Sequence, residues 1–233
     1  MEQNKSKRFE IKFQPSEYDF YELEALILMH PFHFRRVYHS REVNNIYFDS
    51  PDLNSYLDNV EGETERAKVR VRWYGDLCNY QTSSHLEIKR KSGPLGWKEH
   101  YALGKISANI TNRFNAQDIL IPTSSNQKHS NWSFYTSLSP ILVNRYTRDY
   151  YLSSDGRFRL TLDRDLKIFD VNPFRPLKMS TFNEKKIILE LKFSQSDFER
   201  CQVISQNFPF RISKSSKYVY GVELLRLVGG QRF

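Results

Sequence analysis

A chain of 233 residues, 39% of them hydrophobic and 15% aromatic, has the material to bury one substantial core, which excludes a largely disordered or low-complexity protein. Lys and Arg outnumber Asp and Glu by 35 to 27, a formal charge of +8, so an anionic partner is expected wherever that excess is clustered. No apolar run is long enough to cross a bilayer or serve as a signal peptide, and Cys78 and Cys201 form neither a CxxC pair nor a disulfide framework; a cytoplasmic chain without structural zinc and without direct membrane insertion is expected.

In chain order, residues 1–7 carry no periodic signal and are expected to be a flexible N-terminus. Alternation in RFEIKF predicts a strand over 8–13, and Ser16 is placed as the N-cap of a helix carrying Tyr21, Leu23, Leu26, Ile27 and Met29. Strands follow at 43–48, 65–74, 85–91 and 97–101, the last two joined by SGPLGW at 92–97, which reads as a hairpin turn. Helical spacing at 131–138 precedes strands at 143–152, 158–165 and 187–193. Ser196 is placed as the cap of a helix through Phe198, Cys201, Val203 and Ile204, a final helix is expected at 214–227, and 228–233 is a tail. With no repeat and no Gly/Ser/Pro linker, 8–227 reads as a single domain.

Alternate residues of a strand point to opposite sides, so each strand sorts into two faces. In the first, Phe9, Ile11 and Phe13 oppose Arg8, Glu10 and Lys12; in the third, Val69, Val71 and Trp73 oppose Arg66, Lys68, Arg70 and Arg72. LEIKRK puts Glu87, Lys89 and Lys91 together, RFRLTLDRD puts Arg157, Arg159, Thr161, Asp163 and Asp165 together, and IILELKF sets Glu190 and Lys192 against Leu189, Leu191 and Phe193. For any single strand, charge on one face is what a half-solvated sheet shows. Recurrence of cations in column is different, because like charges at neighbouring positions repel by about a few tenths to 1 kcal/mol per pair, a cost that a bound polyanion reverses. If such a sheet closes with helices packed outside, the charged faces line a lumen, and the expected class is α+β, a predominantly antiparallel closed β-barrel forming a charged tunnel, with helices packed outside.

Other chemistries find little support. HExxH, GxSxG and Walker A patterns are absent, and His30, His33 and His39 lack helical ligand spacing, so surface or capping roles are expected for them. Tyr146, Tyr150, Tyr151 and Phe158 read as shell core instead of base-stacking platforms, and no nucleic acid is expected as partner.

Taken in order, RFEIKF, NIYFDS, KVRVRWYG, LEIKRK, VNRYTRDYY, RLTLDRD, ILELKF and the SKY of 216–218 resemble the VTC (vacuolar transporter chaperone) polyphosphate polymerase domain, a branch of the triphosphate tunnel metalloenzyme (CYTH-like) superfamily. The hydrolase branch opens on ExExK; here Arg8 replaces the first Glu, leaving Glu10 and Lys12, which favours the polymerase branch. The resemblance implies ATP and inorganic polyphosphate as substrates, the γ-phosphate of ATP passing to a growing chain. It implies catalytic roles for Lys12, Arg70, Arg72, Arg145, Lys192 and Glu190. Phosphate oxygens would be held by Lys12, Lys68, Arg70, Arg72, Lys89, Lys91, Arg145, Arg159, Lys192 and Lys217. Glu190 is the first choice as ligand to Mn²⁺ or Mg²⁺, followed by Glu10 and Glu87, for which pairing with neighbouring lysines is an equal alternative. Lys217 falls at a tunnel mouth or, otherwise, on a solvent-facing helix. A tunnel triphosphatase and a non-catalytic polyphosphate-binding module remain alternatives. The family's regulatory helical domain and membrane span have no counterpart in the sequence, so a membrane-protein partner would have to supply them, and the oligomeric state is left open.

Overall fold

Alternation in the sequence becomes a sheet of nine antiparallel strands in a computed structural model that describes residues 8–77, 83–93, 95–105, 137–171, 178–180 and 186–229. The strands are β1 (Arg8–Phe13), β2 (Arg35–Asp49), β3 (Glu65–Tyr74), β4 (Ser83–Ser92), β5 (Leu95–Lys105), β6 (Ser139–Leu152), β7 (Arg159–Asp170), β8 (Lys178–Ser180) and β9 (Ile188–Ser194). Helices α1 (Phe20–Leu28), α2 (Asn54–Glu61), α3 (Phe198–Gln206) and α4 (Lys217–Gly229) accompany them. Among the described residues no helix is long and apolar enough to cross a membrane. The expected helix at 131–138, Cys78, Pro94 of the hairpin turn and residues 1–7 and 230–233 lie wholly or mostly outside the described residues.

Strand order is β6-β2-β3-β4-β5-β1-β9-β7-β8, and β6 also pairs with β7 from Leu142↔Asp170 to Leu152↔Arg159, so the sheet curls strongly. Between β5 and β1 the pairing shrinks to Arg8↔Gly96. The α+β class with an antiparallel sheet is what these strands show; continuous hydrogen-bonded closure is not established at that seam.

Two caps differ from expectation. Asp19, not Ser16, caps α1: its carboxylate accepts from Glu22 N at 2.9 Å while Glu22 accepts from Asp19 N at 2.8 Å, a reciprocal box that Ser16 has no partner to make. Ser196 lies inside a 3₁₀ turn, Gln195–Asp197, and Asp197 occupies the N-cap position of α3. Helix α2, not foreseen, follows Leu53 in the left-handed region (φ 57); the Asp49 carboxylate accepts from Ser55 N and Tyr56 N, satisfying amides that no residue adjacent to the helix reaches.

One sheet face is apolar. Phe13, Leu160, Leu162, Leu189, Leu191 and Phe193 pack there with Leu23 and Ile27 of α1 and Cys201 and Ile204 of α3, each large side chain contributing roughly 1.5–3 kcal/mol by burial. His30 belongs to this core and not to the surface: it is 3% exposed, its Nε2 lies 3.2 Å from Ile204 O, and its Nδ1 accepts from Phe32 N.

Helix α4 departs from the expectation of helices outside. Its Tyr218 ring stacks on Tyr47 at 5.1 Å, on the same face of β2 as Asn45, opposite the apolar face. Gly221 makes the close approach possible, since a Cβ there would lie 2.7 Å from Leu142 Cδ2. The reason is local: Leu142 and Ile168 make this end of the otherwise charged face apolar, and the apolar side of α4 covers it.

Candidate functional site

The charged face encloses a cavity of about 600 Å³. Glu10 and Lys12 reach it from β1; Lys68, Arg70 and Arg72 from β3; Lys89 and Lys91 from β4; Glu190 and Lys192 from β9; and Lys217 from the first turn of α4. A second cavity of about 560 Å³ shares Lys12, Lys68, Lys89 and Lys91 and runs on to the segment 213–216, where Ser215 O accepts from Lys12 Nζ at 3.0 Å.

Residues not singled out in the sequence complete the wall. Lys98 stands opposite Lys89 and His100 opposite Glu87 in the β4–β5 register, and both line the cavity. On β6, Arg148 lines it, and so does Tyr146, which the sequence placed in the shell core: its buried ring packs with Val43 and Leu166 while its hydroxyl accepts from Arg72 at the wall. Arg145 is not among the lining residues and pairs with Glu42 on the opposite face. The alternation of β6 carries the signal that could have found Arg148, because Asn144, Tyr146 and Arg148 share a side and Asn144 bonds Asn45 of the charged face. Arg159 pairs in register with Lys192 but is exposed and absent from the cavity wall.

Among the lining residues ten lysines and arginines face two carboxylates, Glu10 and Glu190. Arg72 is held by Asn45 Oδ1 at 2.7 Å and Tyr146 Oη at 3.1 Å, and Arg70 by Glu87 at 2.7 Å and Tyr47 Oη at 3.1 Å. Behind the wall Asp163 accepts from Arg148 Nε and Nη2 at 2.5 and 2.7 Å and pairs with Lys217. Lys217, with its Nζ 4.6 Å from the Tyr146 ring centroid, is thus an inward residue and not a solvent-facing one.

Burial alone would raise the carboxyl pKa values, and neighbouring cations overcome it. Glu10, 3.0 Å from both Lys12 and Lys89, is brought down to about 2, and Asp163 beside Arg148 and Lys217 likewise to about 2. Glu190, paired with Lys192 and with Lys12 at 3.8 Å, is held well below the usual carboxylate range for the same reason. For two of the lysines burial prevails and favours the neutral form. Burial, then Lys12, Lys89, Arg66 and Arg70, push Lys68 well below the ordinary ammonium range; its Nζ donates to Ser216 Oγ at 2.8 Å, and among the described residues no carboxylate pairs with it. Lys98, one-third exposed, is pushed down to about 7 by burial and by Arg70, with Glu87 at 3.1 Å offsetting only part.

No group of three or more His, Cys, Asp or Glu side chains that could hold a metal occurs among the described residues. The donor set suits an ion that takes one or two carboxylates and completes its shell from phosphate and water: Glu10 and Glu190 flank Lys12 at the cavity. Glu87 fits such a role poorly, being absent from the cavity wall and engaged by Arg70 at 2.5 Å and Lys98.

Known proteins share this architecture. Putative adenylate cyclases from Bacillus halodurans and Vibrio parahaemolyticus superpose with TM-scores of 0.58 and 0.55 at 14% and 11% identity. The Bacillus alignment covers 92% of this chain and 96% of that one, the Vibrio alignment 95% and 99%; at such identities the likeness is one of fold. In sequence, the chain is 22% identical over 231 residues to vacuolar transporter chaperone complex subunit 4 of Schizosaccharomyces pombe, covering 78% of this chain and 32% of that protein, so it spans about a third of the relative's length. The VTC domain profile matches residues 7–226, from the strand bearing Glu10 and Lys12 to the helix bearing Lys217, and the chain belongs to the VTC domain family.

Proposed function

We propose that the chain is a metal-dependent polyphosphate polymerase, an ATP:polyphosphate phosphotransferase. The observation that carries the reading is the imbalance of the cavity wall, ten lysines and arginines against the four carboxylates that touch them, Glu10, Glu190, Glu87 and Asp163, an excess that a multiply charged anion in contact with several strands at once would neutralise. In this reading the curled sheet acts as a tunnel. The ATP needed implies a cytoplasmic active site, and the relative's membership in a transporter chaperone complex supports a membrane-protein partner.

Phosphoryl transfer asks little covalent chemistry of a protein and much positioning and charge neutralisation. A terminal oxygen of the polyphosphate chain attacks the γ-phosphorus; the bond from that phosphorus to the β,γ-bridging oxygen breaks, ADP leaves, and the chain gains one phosphate. Arg70 and Arg72, oriented by Glu87, Tyr47, Asn45 and Tyr146, present planar forks to equatorial oxygens, while Lys12, Lys89 and Lys192 offer mobile point charges. A bound Mn²⁺ or Mg²⁺, held by Glu190 with Glu10, would neutralise charge on the phosphates.

Incubation with ATP and Mn²⁺ tests this: long chains sensitive to exopolyphosphatase are expected. Orthophosphate alone would point to a triphosphatase, and binding without any product to a carrier module. Glu190→Gln is expected to lower metal-dependent turnover by about 10²-fold or more while the protein stays folded and still binds tripolyphosphate. Wild-type turnover in that variant removes Glu190 from the reaction.

Lys68 and Lys98 give a separate check. Burial depresses both, and a polyanion favours their charged forms, so binding of tripolyphosphate at about pH 8 is expected to take up protons from solution. Calorimetry in buffers of different ionisation enthalpy measures the uptake. Lys68→Met and Lys98→Met should each reduce it, and an uptake unchanged in both rules them out as anion contacts.

A further inference from the structure

The inner face of β2 and β6 continues past the cavity wall. Arg41 stands opposite Arg148 in the β2–β6 register, and Tyr38 opposite Tyr150. Register shifts on either side of Tyr38 re-aim these side chains, as β-bulges do, and bring them together. The Arg41 guanidinium carbon lies 5.0 Å from the Tyr38 ring centroid and 5.5 Å from that of Tyr150, and the two rings meet edge to face at 5.7 Å.

Neighbouring arginines have carboxylate partners: Arg36 has Glu24 and Asp149, Arg145 has Glu42, Arg148 has Asp163, and Arg164 has Asp149. Arg41 differs. Among the described residues none supplies it with a hydrogen bond or an ion pair; its contacts are the two rings. A guanidinium held against aromatic faces loses little further freedom on binding, and its N–H edge remains available for an oxyanion. Tyr38 is 56% exposed, so the position is accessible from solvent.

We infer that Arg41, clamped by Tyr38 and Tyr150, is a phosphate-binding residue just outside the cavity, contacting the part of a phosphate chain that extends past Arg148. The inference rests on the polyphosphate reading and deepens it by marking where the polymer leaves the enclosed wall. A ligand too short to run beyond Arg148 gains little from it. Affinity conferred by Arg41 therefore grows with chain length.

Titration of the intact protein with inorganic tripolyphosphate and with polyphosphate of several tens of units, each followed by calorimetry, tests this. Arg41→Ala is expected to weaken the long chain by about tenfold, the scale of one charge-assisted contact, and tripolyphosphate by a clearly smaller factor. Arg41→Lys should recover part of the loss, because it restores charge without the planar fork, and it serves as the test variant if the alanine protein does not fold. Equal losses for both lengths, or none for the long chain, would overturn the inference while leaving the functional reading in place. A wild-type protein that binds neither anion removes both.

Discussion

Arg72→Ala is expected to lower kcat/KM for polyphosphate synthesis from ATP by about 10²–10³-fold, the loss typical of removing one preorganised charge from a phosphoryl-transfer site. Arg72 is 5% exposed and anchored by Asn45 and Tyr146, so its orientation is set before any ligand arrives. Its loss leaves the Asn45 carbonyl oxygen and the Tyr146 hydroxyl without that partner, a cost of about 1 kcal/mol each at most. Relief of repulsion among the cavity cations acts in the opposite direction. Thermal unfolding without ligand should therefore change little while turnover collapses. Arg72→Lys separates charge from shape: a point charge restores attraction without the paired donors, so partial recovery is expected. Near-wild-type kinetics in the alanine variant would remove Arg72 from the site.

Asp163→Ala is expected to have the largest effect on stability. Asp163 is 2% exposed and joins Arg148 to Lys217, so its removal leaves two inward cations without their carboxylate. Breaking a buried pair in this way costs about 3–5 kcal/mol, and in a chain of this size each kcal/mol lowers Tm by about 2–4 °C. The pH dependence has a definite sign. The carboxyl sits at about 2 in the folded protein against an ordinary value of 3.8, so its contribution is present above the ordinary value and is lost as pH falls through the folded one. An acid-unfolding component below about pH 4 should accordingly diminish in the variant. Tripolyphosphate should raise the Tm of Asp163→Ala more than that of wild type, because the ligand supplies the missing negative charge. Equal shifts would mean that Arg148 and Lys217 do not meet the anion.

Both expectations come from one feature of the protein. Its wall is stable because a few carboxylates, Glu10, Glu87, Asp163 and Glu190, are distributed among many cations, each shared by two or more of them. That arrangement offsets part of the repulsion without neutralising the cavity, and among the described residues no carboxylate pairs with Lys68 or Arg41.

The sequence by itself determined which side of most strands is charged, because the pleat imposes a period of two on any strand whatever surrounds it. Lys12, Arg70, Arg72, Lys89, Lys192 and Glu190, which that period puts on the charged side of their strands, line one cavity, and β1 and β3 begin and end where alternation does. Tertiary structure decided the rest. Parity names two faces without saying which is inner, so Arg145 and Arg148 were interchangeable until Asn144 met Asn45. Strand pairing alone brings Lys98 opposite Lys89 and commits Glu87 to Arg70. Helix α4 sits on the charged face because Leu142 and Ile168, from strands joined only in the folded sheet, make an apolar patch there that needs cover. Such contacts depend on which distant strands become neighbours, and no local pattern encodes that.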